Sequence, residues 1–462
     1  MIPSRLLSSH FMYYTPSYLS ALATSAKSKC QQPRATGVKL ELPRGMRDIE
    51  SDDLAGINFV REKFFETARL FNFRMMEPSP LEMLSTLEAK SGASISNEIY
   101  AFKDKGDRDV ALRFDLTIGL TRHVAARRDL KMPAKIAAFA GVWRYDEPQA
   151  GRYRYFHQWD IEVYGPFSLE SDAEVIEFVS AFFKKLGLAV SIQVNDRQLV
   201  EEYIRKVLGI SEEEKVLEMF RAVDKVPKKG AQGVLAEYKD AIEPAKLQSL
   251  IDFSKVTGTA GEVASKAGDV KGLQAWQKLS GLMDSLASRG VANATINLGI
   301  VRGLDYYSGI VFEVFDASGE GGALVGGGRY DRLTDAFGRK DIGATGAAGG
   351  IERIVLALQK HKAQEVAAKP LAYVAYATGD AKARALEIAS MLRNAGIATD
   401  YDMLGRALRK QLDDASTKGA AVAIIVAPAE LAENKVTVKS MKDGSETKQD
   451  ISRLAEAVSK ML

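Results

Sequence analysis

A chain of 462 residues, 46% hydrophobic and 27% charged, can bury a large core and should divide into two or three domains. A single cysteine, Cys30, excludes a disulfide framework and points to a reducing compartment, and four scattered histidines (His10, His123, His157, His361) argue against a Cys/His metal site. The net charge of +3 confines any nucleic-acid surface to a local basic patch, and no apolar run approaches the ~20 residues that cross a bilayer, so no membrane partner is expected.

Residues 1–40 carry no Asp or Glu but contain Arg5, Lys27, Lys29, Arg34 and Lys39 among many Ser and Thr. That is the composition of a mitochondrial transit peptide; a disordered extension, or residues ahead of an internal start at Met12 or Met46, is the alternative. Globular sequence begins near Leu42. After the turn-rich PRGMRD (43–48), Leu54, Ile57, Val60, Phe64, Phe65, Ala68 and Phe71 recur at helical spacing and predict one amphipathic helix. FRMMEPSPL (73–81) reads as a strand broken by Pro78 and Pro80, hence at an edge or interface. Further strands are expected at 110–114, 138–144 and 155–164, giving a mainly antiparallel sheet flanked by helices.

Residues 195–289 turn Lys-, Glu-, Ala- and Leu-rich with helical periodicity, and strand sequence resumes at Thr295, which predicts a helical insertion within the sheet domain. The polar stretch KHKAQEVAAKP (360–370) follows a helix and reads as a linker. Beyond it, strands at 371–377, 398–401, 421–428 and 435–440 alternate with helices at 381–394 and 406–417, the pattern of a small α/β domain. The expected division is a leader over 1–40, a catalytic domain over 41–365 and an α/β domain over 370–462.

The chemistry gathers in a few segments. RGLDYYSG (302–309) packs Arg302, Asp305, Tyr306 and Tyr307 at the threshold of a strand-like run, 310–315, with GGGRYD (326–331) beyond. Such convergence at the mouth of a sheet suits a small polar ligand. AFAGVWRYDEPQAGRYRYFHQWDIE (138–162) puts Arg144 at a strand end and returns through a loop to a strand bearing Gln158 and Glu162 on one face, four residues apart. Arg144, Arg152 and Arg154 around that loop suit a polyphosphate. GAAGGIERIVLAL (346–358) is a strand-to-helix junction with Arg353 one turn into the helix. No GxxxxGK[ST] or GxGxxG loop occurs, so nucleotide binding must use an antiparallel sheet with arginine clamps. His157 alternates away from the Gln158 face, and Trp143 and Trp159 read as core.

These segments resemble the histidyl-tRNA synthetases, class II aminoacyl-tRNA synthetases. FRMMEPSPLE is similar to the family's motif 1, VWRYDEP with GRYRYFHQWDIE to motif 2, and GGIERIVLAL to motif 3, while RGLDYYSG and GGGRYD match the two peptides that mark the histidine enzyme. The resemblance runs from about Leu42 to the C-terminus. It implies an α+β catalytic domain on an antiparallel sheet with a helical insertion, a C-terminal α/β anticodon-binding domain, and a homodimer.

The resemblance also implies ATP with Mg²⁺, L-histidine and tRNA(His) as reactants. Arg144 and Arg302 would be catalytic; Asp115, Leu116, Thr117, Gln158, Glu162, Arg302, Tyr306 and Tyr307 would bind histidine; Arg144, Asp146, Arg152 and Arg353 would bind ATP. Arg144-Tyr145-Asp146 where bacterial members carry Arg-x-Glu, and LRFDLT in place of a Pro-Glu version, resemble eukaryotic members and weaken the assignment of Asp146. A cytoplasmic enzyme is expected, with a mitochondrial pool if the leader targets. The competing reading is a catalytically silent, synthetase-like, histidine-sensing regulatory subunit, opposed by the retention of Arg144, Arg302, Arg353 and the terminal domain.

Overall fold

Helix α1 (Ser51–Leu70) buries Ile57, Val60, Phe64, Thr67 and Ala68, the one-turn spacing that makes an apolar stripe, with Asp52 and Asp53 at its N-terminus and Arg69 in its last turn, where their charges oppose the helix dipole. Phe65, which the periodicity had included in that stripe, is 42% exposed. The structure, a computed structural model, describes residues 40–91, 95, 97–145, 147, 153–301, 307–361 and 371–462. The leader up to Lys39 and most of the expected linker, 362–370, lie outside the described residues.

The main sheet comprises β1 (Arg74–Met75), β2 (Ala134–Trp143), β3 (Tyr155–Gly165), β4 (Val190–Asp196), β5 (Thr257–Gly258), β6 (Ala294–Asn297), β7 (Ile310–Asp316), β8 (Val325–Arg329) and β9 (Gly343–Gly350). Their order is β1-β2-β3-β9-β8-β7-β4-β6-β5, antiparallel except where β1 joins β2 and β4 joins β6. The prolines of the 73–81 segment divide it: Arg74–Met75 lies at the edge of this sheet, whereas Leu81–Met83 pairs with Asp109–Leu112 in a separate three-stranded sheet.

Alternation gives the sheet two unlike faces. One carries Phe139, Trp159, Ile161, Val163 and Phe312 into a core shared with α1, α3 (Leu169–Leu186) and the helix Ile351–Lys360. Phe64 meets Trp159, Phe178 and Phe182 there at ring-centroid distances of 5.6, 5.9 and 5.8 Å, edge-on or tilted as aromatic quadrupoles prefer. Trp143 departs from the core reading: at the end of β2 it is only half-buried and lies against Tyr155 at 4.9 Å. The opposite face presents small residues, Ala138, Ala140, Ala344 and Gly346, beside a row of polar side chains from β3.

Between β4 and β6 the chain inserts helices, including α4 (Glu213–Tyr238), α5 (Pro244–Ser254) and α6 (Gln274–Ser288). Pro227 and Gly230, whose φ of +71° few other residues accept, break α4 into two arms. Asp196, at the end of β4, is fully buried, accepts a hydrogen bond from the Gln198 amide at 2.9 Å and lies 3.8 Å from Lys278 on α6; burial raises its carboxyl to about 6.

The C-terminal region is a five-stranded sheet, β10 (Leu371–Tyr376), β11 (Thr399–Tyr401), β12 (Ala420–Val426), β13 (Lys435–Ser440) and β14 (Glu446–Asp450), in the order β11-β10-β12-β13-β14. Its first three strands are parallel and the last two antiparallel, an α/β domain with a hairpin at one edge.

Candidate functional site

Gln158, Asp160, Glu162 and Tyr164 alternate along β3 onto the opposite face, and all four are buried. Glu162 stands opposite Gly346 of β9, and a Cβ added there would come within 1.5 Å of its Oε2. Only glycine at 346 lets the carboxylate lie against the sheet. The same oxygen accepts a hydrogen bond from the Tyr330 hydroxyl, and Tyr330 is held by its amide donating to Ala344 O at 2.8 Å. Beside it the Tyr164 hydroxyl meets Thr121 Oγ1 at 3.0 Å, and Thr121 Oγ1 donates to Thr117 O at 2.8 Å. Burial, reinforced by the Glu162 charge, pushes both phenols well above their ordinary value, so they remain donors at neutral pH.

The second wall comes from the N-terminus of α2 (Thr117–Ala126). Asp115 Oδ1 accepts from the Ile118 amide at 3.1 Å, and Thr117 Oγ1 donates to Asp160 Oδ2 at 3.0 Å. Gln158 Nε2 donates to Asp160 Oδ1 at 2.8 Å, leaving Gln158 Oε1 to accept from Arg144 Nη2 at 3.3 Å. Arg144 is fixed from its other side, Nε donating to Phe114 O at 2.9 Å. The Leu116 side chain is completely buried in the core, so anything it offers a ligand is main chain. Desolvation, with the neighbouring Asp115 charge adding to it, raises Asp160 to about 7 against the opposing pull of its two hydrogen bonds and Arg144.

Tyr307 is buried with its ring against Gly328, where an added Cβ would come within 3.0 Å. Arg353, in the first turn of α7 (Ile351–Lys360), donates to Ala323 O at 2.9 Å. Its neighbour Glu352 takes the His157 amide with both oxygens, at 2.9 and 3.0 Å, and that ties α7 to β3 from the packed face. His157 thus points away from the row, as alternation requires. The structure therefore brings Asp115, Thr117, Arg144, Gln158 and Glu162 around one polar row; Asp146, Arg152, Arg302 and Tyr306 lie outside the described residues.

Asp160, Tyr164 and Tyr330 escaped the reading of the sequence. Asp160 was legible by alternation, since it shares a face with Gln158 and Glu162. Tyr330 lies within GGGRYD, but nothing in the sequence pairs it with Glu162.

The segment after Pro43 straps the loop that joins β2 to β3. Arg154 donates its amide to Gly45 O at 3.0 Å and its guanidinium to Arg44 O at 3.1 Å. Arg44 pairs with Glu147 at 2.7 Å, and the Arg47 guanidinium lies 3.9 Å from the Tyr153 ring centre. Stacked cation–aromatic and main-chain contacts of this kind hold the base of the loop, where Arg154 is buried.

The row runs from a fixed guanidinium, through acceptors gathered at a helix N-terminus, to a carboxylate and phenols. It sets a cation at one end, acceptors in the middle and a carboxylate with phenols at the other. Among the described residues no group of three or more His, Cys, Asp or Glu side chains is placed to hold a metal ion.

A family model described as histidyl-tRNA synthetase matches residues 45–354, and one described as an anticodon binding domain matches residues 359–461. A histidine–tRNA ligase of Thermococcus kodakarensis is 34% identical over 92% of this chain and 99% of its own length. One from Pyrococcus furiosus is 33% identical over 90% of this chain and 98% of its own. Among solved structures, a histidyl-tRNA synthetase from a Nostoc species superposes with a TM-score of 0.77 at 24% identity, covering 92% of this chain and all of that one. A protein from Bacillus halodurans titled ATP phosphoribosyltransferase regulatory subunit/histidyl-tRNA synthetase gives 0.70 at 23% identity, over 85% of this chain and 99% of that one, a likeness of fold.

Proposed function

The chain belongs to the histidyl-tRNA synthetase family, and on that premise we propose that it joins L-histidine to tRNA(His) in two steps, with the β3 row as its amino-acid pocket. In the first step a histidine carboxylate oxygen attacks the α-phosphorus of ATP, pyrophosphate leaves, and histidyl adenylate forms. In the second the terminal ribose of tRNA displaces AMP. The observation that carries the pocket is the run Arg144–Gln158–Asp160–Thr117, a charged and hydrogen-bonded line on the sheet face opposite the aromatic core. Relatives aligned over both matched regions favour the ligase over a silent regulatory subunit.

Arg144, held by Phe114 O and Gln158 before any substrate arrives, is preorganised to meet charge developing on the α-phosphate, the arrangement that lowers a barrier without reorganisation. Arg302 shares that role by its match to the family peptide, and Arg353, with Asp146 and Arg152, serves the nucleotide. Mg²⁺ would enter with ATP as its counter-ion and would supply neutralisation of the phosphate charge. Asp115, Thr117, Gln158 and the Leu116 main chain receive the histidine ammonium. Glu162 and Tyr307 each take one imidazole nitrogen, with Tyr306 on the same wall, so that a wrong side chain would leave buried polar groups unpaired.

Region 370–462 reads the anticodon and the enzyme acts as a homodimer in the cytoplasm, with a mitochondrial pool if residues 1–40 target it. Histidine-dependent exchange of pyrophosphate into ATP by the purified chain tests the reading. Exchange with histidine and none of the other amino acids is expected, and its absence would refute it.

A further inference from the structure

Asp160 touches neither of the polar ends a ligand would use, yet it holds the two side chains between them. Its carboxylate is completely buried and accepts from Gln158 Nε2 through one oxygen, at 2.8 Å, and from Thr117 Oγ1 through the other, at 3.0 Å. A hydroxyl can rotate, so without Asp160 Thr117 has no fixed polarity, and Gln158 is oriented only through its oxygen, which accepts from Arg144 at 3.3 Å. With an ionised Asp160 both spend their donors on it. Gln158 then presents its oxygen and Thr117 its lone pairs, and an ammonium, which has three donors and no acceptor, needs both.

We propose that Asp160 is a positioning residue that sets the amide and hydroxyl polarity of the amino-acid pocket, and that a ligand ammonium enters with loss of a proton from Asp160. This rests on the reading of the row as the histidine pocket.

The protonated acid cannot do the same work. One of its oxygens must then donate, and the partner within reach of Oδ2 is Thr117 Oγ1, whose own hydrogen would rotate away from Asp160 and cease to leave lone pairs for an ammonium. The charges facing Asp160 decide between the two states. Asp115, before the N-terminus of α2, opposes its ionisation and Arg144, from the end of β2, favours it; Glu162 follows two residues along its own strand, and the Tyr164 and Tyr330 phenols stay neutral. The balance leaves Asp160 at about 7, where an arriving positive charge suffices to expel the proton.

Calorimetry on the full chain at pH 7, in two buffers of different ionisation enthalpy, counts the protons. Histidine should release roughly half a proton, and 3-(imidazol-4-yl)propionate, the same ring and carboxylate without the ammonium, should release none from this source. Asp160→Asn, close to isosteric, should abolish the difference between the two ligands. It should also raise the histidine Michaelis constant in pyrophosphate exchange about tenfold and leave that for ATP within twofold. A side chain that merely supported the fold would move neither the proton count nor one Michaelis constant alone. If the variant does not fold, the wild-type comparison of the two ligands decides by itself: equal proton counts overturn the proposal. An unchanged proton difference and histidine constant in folded Asp160→Asn also overturn it. Failure of the wild type to use histidine in exchange would instead remove the functional reading beneath it.

Discussion

Strand β3 separates two regions of equal burial and opposite energetics. On one side Trp159, Ile161 and Val163 enter a core of aromatic rings. On the other, Gln158, Asp160, Glu162 and Tyr164 are as deeply buried but polar. Burying the first set releases water from apolar surface and stabilises the fold by roughly 25 cal/mol per Å². Burying the second costs desolvation, which hydrogen bonds to Thr117, Arg144 and Tyr330 only partly offset. Burial alone therefore does not mark a core. The side that gains by burial should govern stability, and the side that loses by it should govern chemistry.

Substitutions on the two sides should separate accordingly. Trp159→Ala, which opens a cavity against Phe64 and Phe182, should cost about 3–5 kcal/mol of stability by denaturant unfolding, with the Michaelis constants of the folded enzyme unchanged. A variant of full stability with altered substrate binding would break the comparison. On the polar side, Arg144→Ala should slow histidine-dependent exchange roughly 10²-fold, about 2.7 kcal/mol in the barrier, with a melting temperature close to wild type. A rate within threefold of wild type would show that the guanidinium merely braces the 113–116 turn.

Glu162→Gln keeps the volume and loses the charge-assisted bond, so the histidine constant should rise by at least about tenfold, equivalent to 1.5–3 kcal/mol, while that for ATP holds. Movement of the ATP constant instead would place Glu162 on the nucleotide side. The smallest effect concerns pH. Asp160 and Asp196, raised to about 7 and about 6 from 3.8, bind more protons in the folded chain than in the unfolded one between those values. Stability should therefore fall as pH rises from 4 to 7, the loss being complete above the folded values. Asp160→Asn should flatten that slope and at pH 8 offset on the order of 1 kcal/mol of it, seen as melting temperatures of variant and wild type that separate as pH rises. Parallel curves would show that Asp160 ionises as readily folded as unfolded.

Where hydrophobic period and burial agree, the sequence was legible: α1, β2, β3, β7 and the strand-to-helix junction at Gly350 all lie where the spacing of apolar residues and glycines puts them. Edges were not legible. Glu446–Asp450 reads ETKQD, without an apolar residue, because β14 has one neighbour and no buried face, so nothing in its own pattern declares it a strand. Trp143 misled for the complementary reason: a large apolar residue at a strand end lies beyond the helices that cover the middle. Within the site, alternation alone placed Gln158 and Glu162 together, but partners brought from 168 residues away, as Tyr330 is to Glu162, leave no periodic trace.

The strap formed by Arg44 and Gly45 bears on where a tag or a protease cut could be tolerated. Two main-chain carbonyls of that segment hold Arg154 at the base of the β2–β3 loop, and carbonyls are lost by deletion but not by side-chain exchange. A chain trimmed to begin at Arg44 keeps both anchors; one trimmed five residues further, at Ile49, keeps neither, although every residue of the polar row remains. Trimming into Arg44 or Gly45 therefore removes backbone anchors of the β2–β3 loop while leaving the first helix whole.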